Sequence, residues 1–146
     1  MINLSRLSSV PDPLPDGVKL PREYFVKRGT RFDYPGALNI AWDSYWGYLV
    51  LVLCRSHHLE KLGRLGPVEL KGVTVESGAW ICSGSLLHNC YIGAGSIVAA
   101  GSVVRGQTVA PGVMVAGNPA RVIARWDGER WAYLPESESG FVRVLE

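Results

Sequence analysis

The stretch IGAGSIVAAGSVV, residues 92–104, places an aliphatic residue at every sixth position, Ile92, Val98 and Val104, and fills the intervals with mostly small residues. The same spacing runs upstream through Val75, Ile81 and Leu87, again with small residues between them, among them Ser77, Gly78, Ala79, Ser83, Gly84 and Ser85. A helix would repeat its apolar positions every three to four residues, and a half-buried strand every two. So much glycine would also cost a helix about 1 kcal/mol per site. A period of six is met by short strands laid along the flat faces of a coil. Each strand sends one aliphatic side chain inward, and small residues, glycine above all, turn the corners. One coil cannot bury its own core, but a stack of coils can. The predicted fold class is all-β, a hexapeptide-repeat parallel β-helix.

Working outward, the interval from Leu87 to Ile92 is five residues, which predicts one irregular corner around His88–Tyr91. Ile40, Trp46 and Val52 are again six apart and extend the solenoid by one coil, although Trp42, Asp43, Tyr45 and Tyr48 stand among the fillers. Residues 1–35 (with PDPLPDG and LPREYFVKRGTRFDYPG) are rich in proline and charge. Proline denies a strand its ladder donor, so an irregular N-terminal arm with short extended pieces is expected there. Its aromatics, Tyr24, Phe25, Phe32 and Tyr34, are expected to pack on the main body. The solenoid domain is read as 36–123 and a short C-terminal cap segment as 124–146. In that cap Asp127-Gly128 signals a turn. Trp126 and Trp131 either cover the open end of the stack or line an acceptor site.

The 146 residues suit one domain, and 47% hydrophobic with 19% charged residues is globular chemistry rather than disorder. The net charge of +2 is scattered along the chain, which gives no basic face for nucleic acid but leaves room for a local cationic site. Cys54, Cys82 and Cys90 are odd in number and form no CxxC pair, so free thiols in a reducing compartment are expected. The N-terminus shows no charged start followed by an apolar run, so no signal peptide is read. The most apolar stretch, WGYLVLVLC at 46–54, is far shorter than the roughly 20 residues of a membrane span. The expectation is a soluble cytoplasmic protein with no membrane span.

Three pieces of sequence resemble the hexapeptide-repeat acyltransferases, in particular the sugar and capsule O-acetyltransferase branch and its xenobiotic relatives. They are Trp80-Ile81 at a strand start, the stretch 92–104, and the closing VAGNPARVI at 115–123. The resemblance implies a left-handed β-helix and a homotrimer with active sites in the clefts between subunits. It implies acetyl-CoA as co-substrate and a small-molecule or saccharide acceptor, sugar hydroxyls first and amines of nucleotide-linked sugars second.

Acyl transfer needs a base for the acceptor's proton and donors for the oxyanion. Histidine suits the first task, and the chain holds His57, His58 and His88. The branch resembled here often carries Ser-His-Asp just upstream of the strong repeat. Ser56 and His57 match it, which makes His57 the candidate base, while His58 stands where the acidic residue would be. The other reading of both histidines is that they are loop residues on an exposed connection. The family's pantetheine arm lies along the coil corners, and Gly84, Ala99, Ala100 and Ser102 would permit that approach. Arg105, after the AGSVV run, and Arg121, last in GNPAR, are candidate partners for the cofactor's phosphates. The other reading of each is a solvated surface arginine. Trp80 is read as a cleft wall or packing residue, and Asn118-Pro119 as the turn that ends the solenoid.

Two other readings share the architecture. One is a trimeric scaffold or binding module without chemistry. The other is a degenerate gamma-class carbonic anhydrase: residues 83–90, SGSLLHNC, are similar to that family's HGxxxHGC segment, but Ser83 replaces its first histidine. Catalytic zinc normally needs three protein ligands, so no metal is expected.

Overall fold

A computed structural model describes residues 18–33, 37–61 and 64–139. Three strands build each complete coil. The second coil is β2 (Leu38–Ile40), β3 (Tyr45–Trp46) and β4 (Leu51–Leu53), and a hairpin, β5 (Arg55–Lys61) and β6 (Arg64–Leu70), follows it. The third coil is β7 (Val73–Val75), β8 (Trp80–Ile81) and β9 (Leu86–His88); the fourth is β10 (Cys90–Ile92), β11 (Ile97–Val98) and β12 (Val103–Arg105). Then come β13 (Thr108–Val109), β14 (Val113–Gly117), β15 (Ala120–Trp126), β16 (Trp131–Tyr133) and a short helix, α1 (Glu136–Ser139).

Strands stack in three faces. The first face is β2-β7-β10-β13 and the second is β3-β8-β11-β14-β15-β16; β4-β9-β12 make the third, with β1 (Arg31–Phe32) at its open edge. Pairing between coils is parallel. The six-residue spacing becomes three vertical rows: Ile40, Val75, Ile92 and Val109; Trp46, Ile81, Val98 and Val115; Phe32, Val52, Leu87 and Val104. Most of these side chains are no more than 1% exposed, so the rows are the core. Burying one such side chain stabilises the fold by roughly 1.5–3 kcal/mol.

Successive residues of the first row, Val75, Ile92 and Val109, lie 17 apart, one short of three hexapeptides. The missing residue belongs to the corner between the third face and the first. There Asn89 alone joins β9 to β10, with φ 47°, and Gly106 turns the same corner one coil later with φ 62°. Asparagine is among the few non-glycine residues that tolerate this left-handed region. The irregular corner expected near His88–Tyr91 is there, and it recurs.

Buried serines complete the other corners. Ser44 and Ser102 donate to the carbonyls of Ala41 and Ala99, and Ser96 to that of Ala110, so no buried hydroxyl is left unpaired at these turns.

The N-terminal segment is more regular than an irregular arm over 18–33. Leu20, Val26 and Phe32 are six apart. Single parallel bridges at Lys19↔Asn39 and Val26↔Trp46, with β1 on β4, make this stretch a first coil. Its strands are too short, and its corners too rich in charge, for the period to stand out. Tyr34 of the expected aromatic set lies outside the described residues, as do 1–17 and 140–146.

At the C-terminal end β14 and β15 turn antiparallel through Asn118-Pro119. The Gly117 N–H donates to the Ser102 hydroxyl, and the Gln107 side chain donates to the Ala120 carbonyl, so this turn closes the last coil. The turn expected at Asp127-Gly128 joins β15 to β16, with the Asp127 carboxylate accepting from the Glu129 and Arg130 N–H groups. No described helix is long and apolar enough to cross a membrane.

Candidate functional site

The corner from third face to first, a single residue after β9, expands after β4 into the β5–β6 hairpin. The Lys71 N–H donates to the Cys54 carbonyl at 2.7 Å and ties the root shut. Register runs His57↔Val68 and then Leu59↔Leu65, so β6 carries one residue more than β5 over this interval. The surplus falls at Gly66-Pro67, where proline has no N–H to offer a ladder.

The bulge leaves the Gly66 carbonyl free to meet His57 Nδ1 at 2.9 Å. A carbonyl oxygen only accepts, so Nδ1 carries the proton, and in the neutral ring Nε2 keeps its lone pair. His57 is exposed and stands on a strand, not in a loop. His58, also exposed, has Nδ1 3.4 Å from Glu69 Oε1, while the other Glu69 oxygen lies 3.5 Å from Lys71 Nζ. The carboxylate missing from the tripeptide is thus supplied across the hairpin, but to His58 rather than His57. Glu69 is the register partner of Ser56, so His58, two residues further along the same face, stands diagonally across from it.

The remaining candidates divide between two edges of the solenoid. Arg105, exposed, ends β12 beside the same corner as the hairpin and is the register neighbour of His88. Gly84, Ala99, Ala100 and Ser102 lie at the corner from the second face to the third, where Gly84 and Gly101 stack with positive φ. Ser102 is fully buried, and its hydroxyl is held by Ala99 and Gly117, so the corner uses its size rather than a free donor. Arg121 is exposed on β15, opposite Ala116 and next to the closing turn. One chain therefore gathers the histidines and Arg105 at one edge and the small-residue track at another.

Beside that track a groove of about 810 Å³ runs along the outside of the second face. Its floor is Tyr45, Trp80 and Ile97 in register. Tyr24 and Phe25 line it from the first coil, Trp131 from β16, and Ser83 and Ala100 border it from the corner. Trp80, on that floor, is 51% exposed. Trp131 lines the same groove and meets Trp126 edge to face at 5.7 Å. The period in the sequence does not show this aromatic wall, because Phe25 meets Tyr45, ring centroids 4.7 Å apart, only once 18–33 is a coil.

Cys82 also lines the groove and is partly exposed, whereas Cys54 and Cys90 are buried. Burial raises all three thiols, Cys54 to about 11 and Cys90 to about 12, which removes them as thiolate nucleophiles at neutral pH. Ser83 and His88 sit at opposite ends of the third-face stretch, the Ser83 hydroxyl accepts from the Tyr48 N–H, and no three ligating groups converge among the described residues.

Among solved structures the chain is similar to a hexapeptide-repeat acetyltransferase of Vibrio cholerae O1 biovar eltor complexed with acetyl coenzyme A. The two are 24% identical over 69% of this chain and 60% of that one, with a TM-score of 0.50. A maltose O-acetyltransferase of Clostridium difficile 630 is 21% identical over 70% and 57%, at 0.56. A variant of AntD, an N-acyltransferase of Bacillus cereus in complex with dTDP and coenzyme A, is 19% identical over 66% and 56%, at 0.57. No protein-family profile and no curated protein matches the chain. The likeness shows the fold, the left-handed parallel β-helix of hexapeptide-repeat acetyltransferases, and this chain spans 56–60% of the length of these three structures.

Proposed function

We propose that this left-handed β-helix is an acyltransferase, moving an acetyl group from acetyl-CoA to a hydroxyl, or an amine, of a sugar-type acceptor. The carrying observation is His57: Nδ1–H fixed on the Gly66 carbonyl and Nε2 left as an acceptor on an exposed hairpin. Nε2 takes the acceptor's proton as the acceptor attacks the thioester carbonyl, and gives it to the departing thiolate, which leaves as free CoA thiol. Gly84, Ala99 and Ala100 let the pantetheine arm approach the main chain, with Arg105 and Arg121 toward its phosphates. Ser102 contributes only its small volume. Three solved neighbours, one with acetyl-CoA and two named for transfer to sugar or nitrogen, favour this reading over a scaffold.

The base and the cofactor track lie on different edges of one chain, so a complete site needs a second copy. A homotrimer would set the hairpin corner of one subunit against the small-residue corner of the next. The test is thiol release from acetyl-CoA over a panel of mono- and oligosaccharides and amino sugars, with light scattering on the same sample. Acetyl-CoA binding without release, with any acceptor, would leave the scaffold; neither binding nor release ends the acyltransferase reading. A strict monomer that still turns over rules out the shared cleft.

A further inference from the structure

Outward side chains give each face of the solenoid its own surface. On the first face the outward row is Asn39, Thr74, Tyr91 and Thr108, and on the third it is Leu51, Leu86 and Val103. On the second it is Tyr45, Trp80 and Ile97, the floor of the groove. Phe25 continues this surface from the first coil, its ring 4.7 Å from that of Tyr45 and 5.7 Å from that of Tyr24. Tyr45 and Trp80 are about half exposed and Tyr24 largely so. An exposed aromatic surface of this extent marks a place where something binds. A volume of about 810 Å³ is that of a small-ligand site, and so is the composition, an apolar floor with a few polar groups at its margin.

Those polar groups define the ligand. The Ser83 hydroxyl accepts from the Tyr48 N–H at 2.9 Å, so its own proton is left to donate. The Lys27 N–H donates to the Trp46 carbonyl at 3.1 Å, which roots its side chain at the end of the groove made by the first coil. Lys27 Nζ stands 5.9 Å from the centre of the Tyr24 ring and makes no ion pair among the described residues. No carboxylate lines the groove among the described side chains, so its charge is a single positive one.

We propose that this groove is the acceptor site and takes an anionic saccharide, with a pyranose ring on Trp80 and Tyr45 and a carboxylate or phosphate at Lys27. The C–H face of a pyranose is apolar and lies flat on an aromatic ring, while its hydroxyls point sideways toward donors such as Ser83. Ser83 and Ala100 border the groove at the small-residue corner, which puts the saccharide beside the track read above for pantetheine. A second copy of the chain fits another face better. The third face carries an aliphatic row and is bounded by both the hairpin corner and the small-residue corner. The ring of subunits proposed above therefore turns third faces inward and leaves the groove open. Its use as an acceptor site rests on the acyltransferase reading; the binding of an anionic saccharide does not.

The test is an NMR titration of the full chain with glucose, glucuronate and glucose 6-phosphate, without acetyl-CoA, and acetyl transfer to the same sugars. The two charged sugars should bind about tenfold tighter than glucose, and added salt should remove most of that preference. Lys27→Met keeps the stem and removes the charge, so it should abolish the preference and leave glucose binding unchanged. Trp80→Ala should weaken all three sugars by about tenfold, with mass by light scattering and acetyl-CoA affinity unchanged. No sugar binding, equal affinity for charged and neutral sugars, or a preference that survives Lys27→Met overturns the proposal. So does unchanged sugar binding in Trp80→Ala. A change of mass in Trp80→Ala would make the groove an interface between copies, and loss of acetyl-CoA binding would make it the cofactor's; either overturns the saccharide site. If the sugars bind as expected and no acetyl group is transferred, the acyltransferase reading fails and the saccharide site stands. If glucose is acetylated equally well by wild type and Lys27→Met, with no preference for charged sugars, the acyltransferase reading stands and this proposal falls.

Discussion

The stacked coils and the β5–β6 hairpin are made of the same element, short strands, and are stabilised in opposite ways. Each coil strand has parallel neighbours in adjacent coils and sends at least one side chain into a row that is almost fully buried. The hairpin pairs only with itself, and Leu65, Val68 and Leu70 on β6 are 70%, 53% and 56% exposed. Stability therefore resides in the coils, and the hairpin is held by its root. A segment held this way can carry reactive groups and vary in sequence without unsettling the fold.

The sharpest break in this comparison is His57→Ala. Loss of a general base should lower turnover by roughly 10²–10⁴-fold, with thermal unfolding and CoA affinity unchanged, because the side chain is exposed and bonds only within the hairpin. A loss of stability of several kcal/mol would mean that the hairpin is part of the core after all. Equal activity would remove His57 from the chemistry.

Leu87→Ala against Val68→Ala sets the two regions side by side in one measurement, denaturant unfolding. Leu87 is fully buried between Val52 and Val104, and truncation should destabilise by about 2–5 kcal/mol. Val68, half exposed, should change stability by no more than about 0.5 kcal/mol. Similar losses at both sites would show that the hairpin is packed against another copy of the chain.

The contrast also divides what could be read from the residues. A core that repeats leaves its period in the sequence, so Ile40, Trp46 and Val52 could be joined to Val75, Ile81 and Leu87 across the intervening hairpin. The first coil kept the period in Leu20, Val26 and Phe32, but prolines and charges at its corners hid it. Around His57 no period applies. Ser56-His57 stands out as a motif, yet its partners do not: Gly66 accepts because a bulge frees its carbonyl, and Glu69, opposite Ser56, meets His58 diagonally across the hairpin. His88 matches a zinc-ligand position in the sequence, whereas its register neighbours, Leu53 and Arg105, come from segments far apart along the chain.

Arg105→Ala and Arg121→Ala test whether the edges of the coils bind cofactor independently of the hairpin. Each should weaken CoA by roughly 1.5–3 kcal/mol if it makes a charge-assisted contact, and the loss should shrink with dephospho-CoA. Calorimetric titration with both ligands reads this directly. Equal loss with each would mean that the arginines act through folding.

The smallest effect sharpens the comparison inside the hairpin itself. His57 and His58 are adjacent on one strand, and neighbouring strand residues project to opposite faces. Their partners agree with this: one ring is fixed on a main-chain carbonyl, the other stands beside the Glu69 carboxylate. The His58 and Glu69 side chains are 61% and 42% exposed, so water and salt screen the pair and it should contribute about 0.2–1 kcal/mol at most. Glu69→Gln and His58→Ala should each leave unfolding nearly unchanged and lower turnover less than tenfold. Raising ionic strength should shrink even that difference. A His58→Ala protein as inactive as the expected His57→Ala would move the base one residue along the strand. Glu69 would then be its orienting carboxylate, and the Gly66 contact would be merely structural.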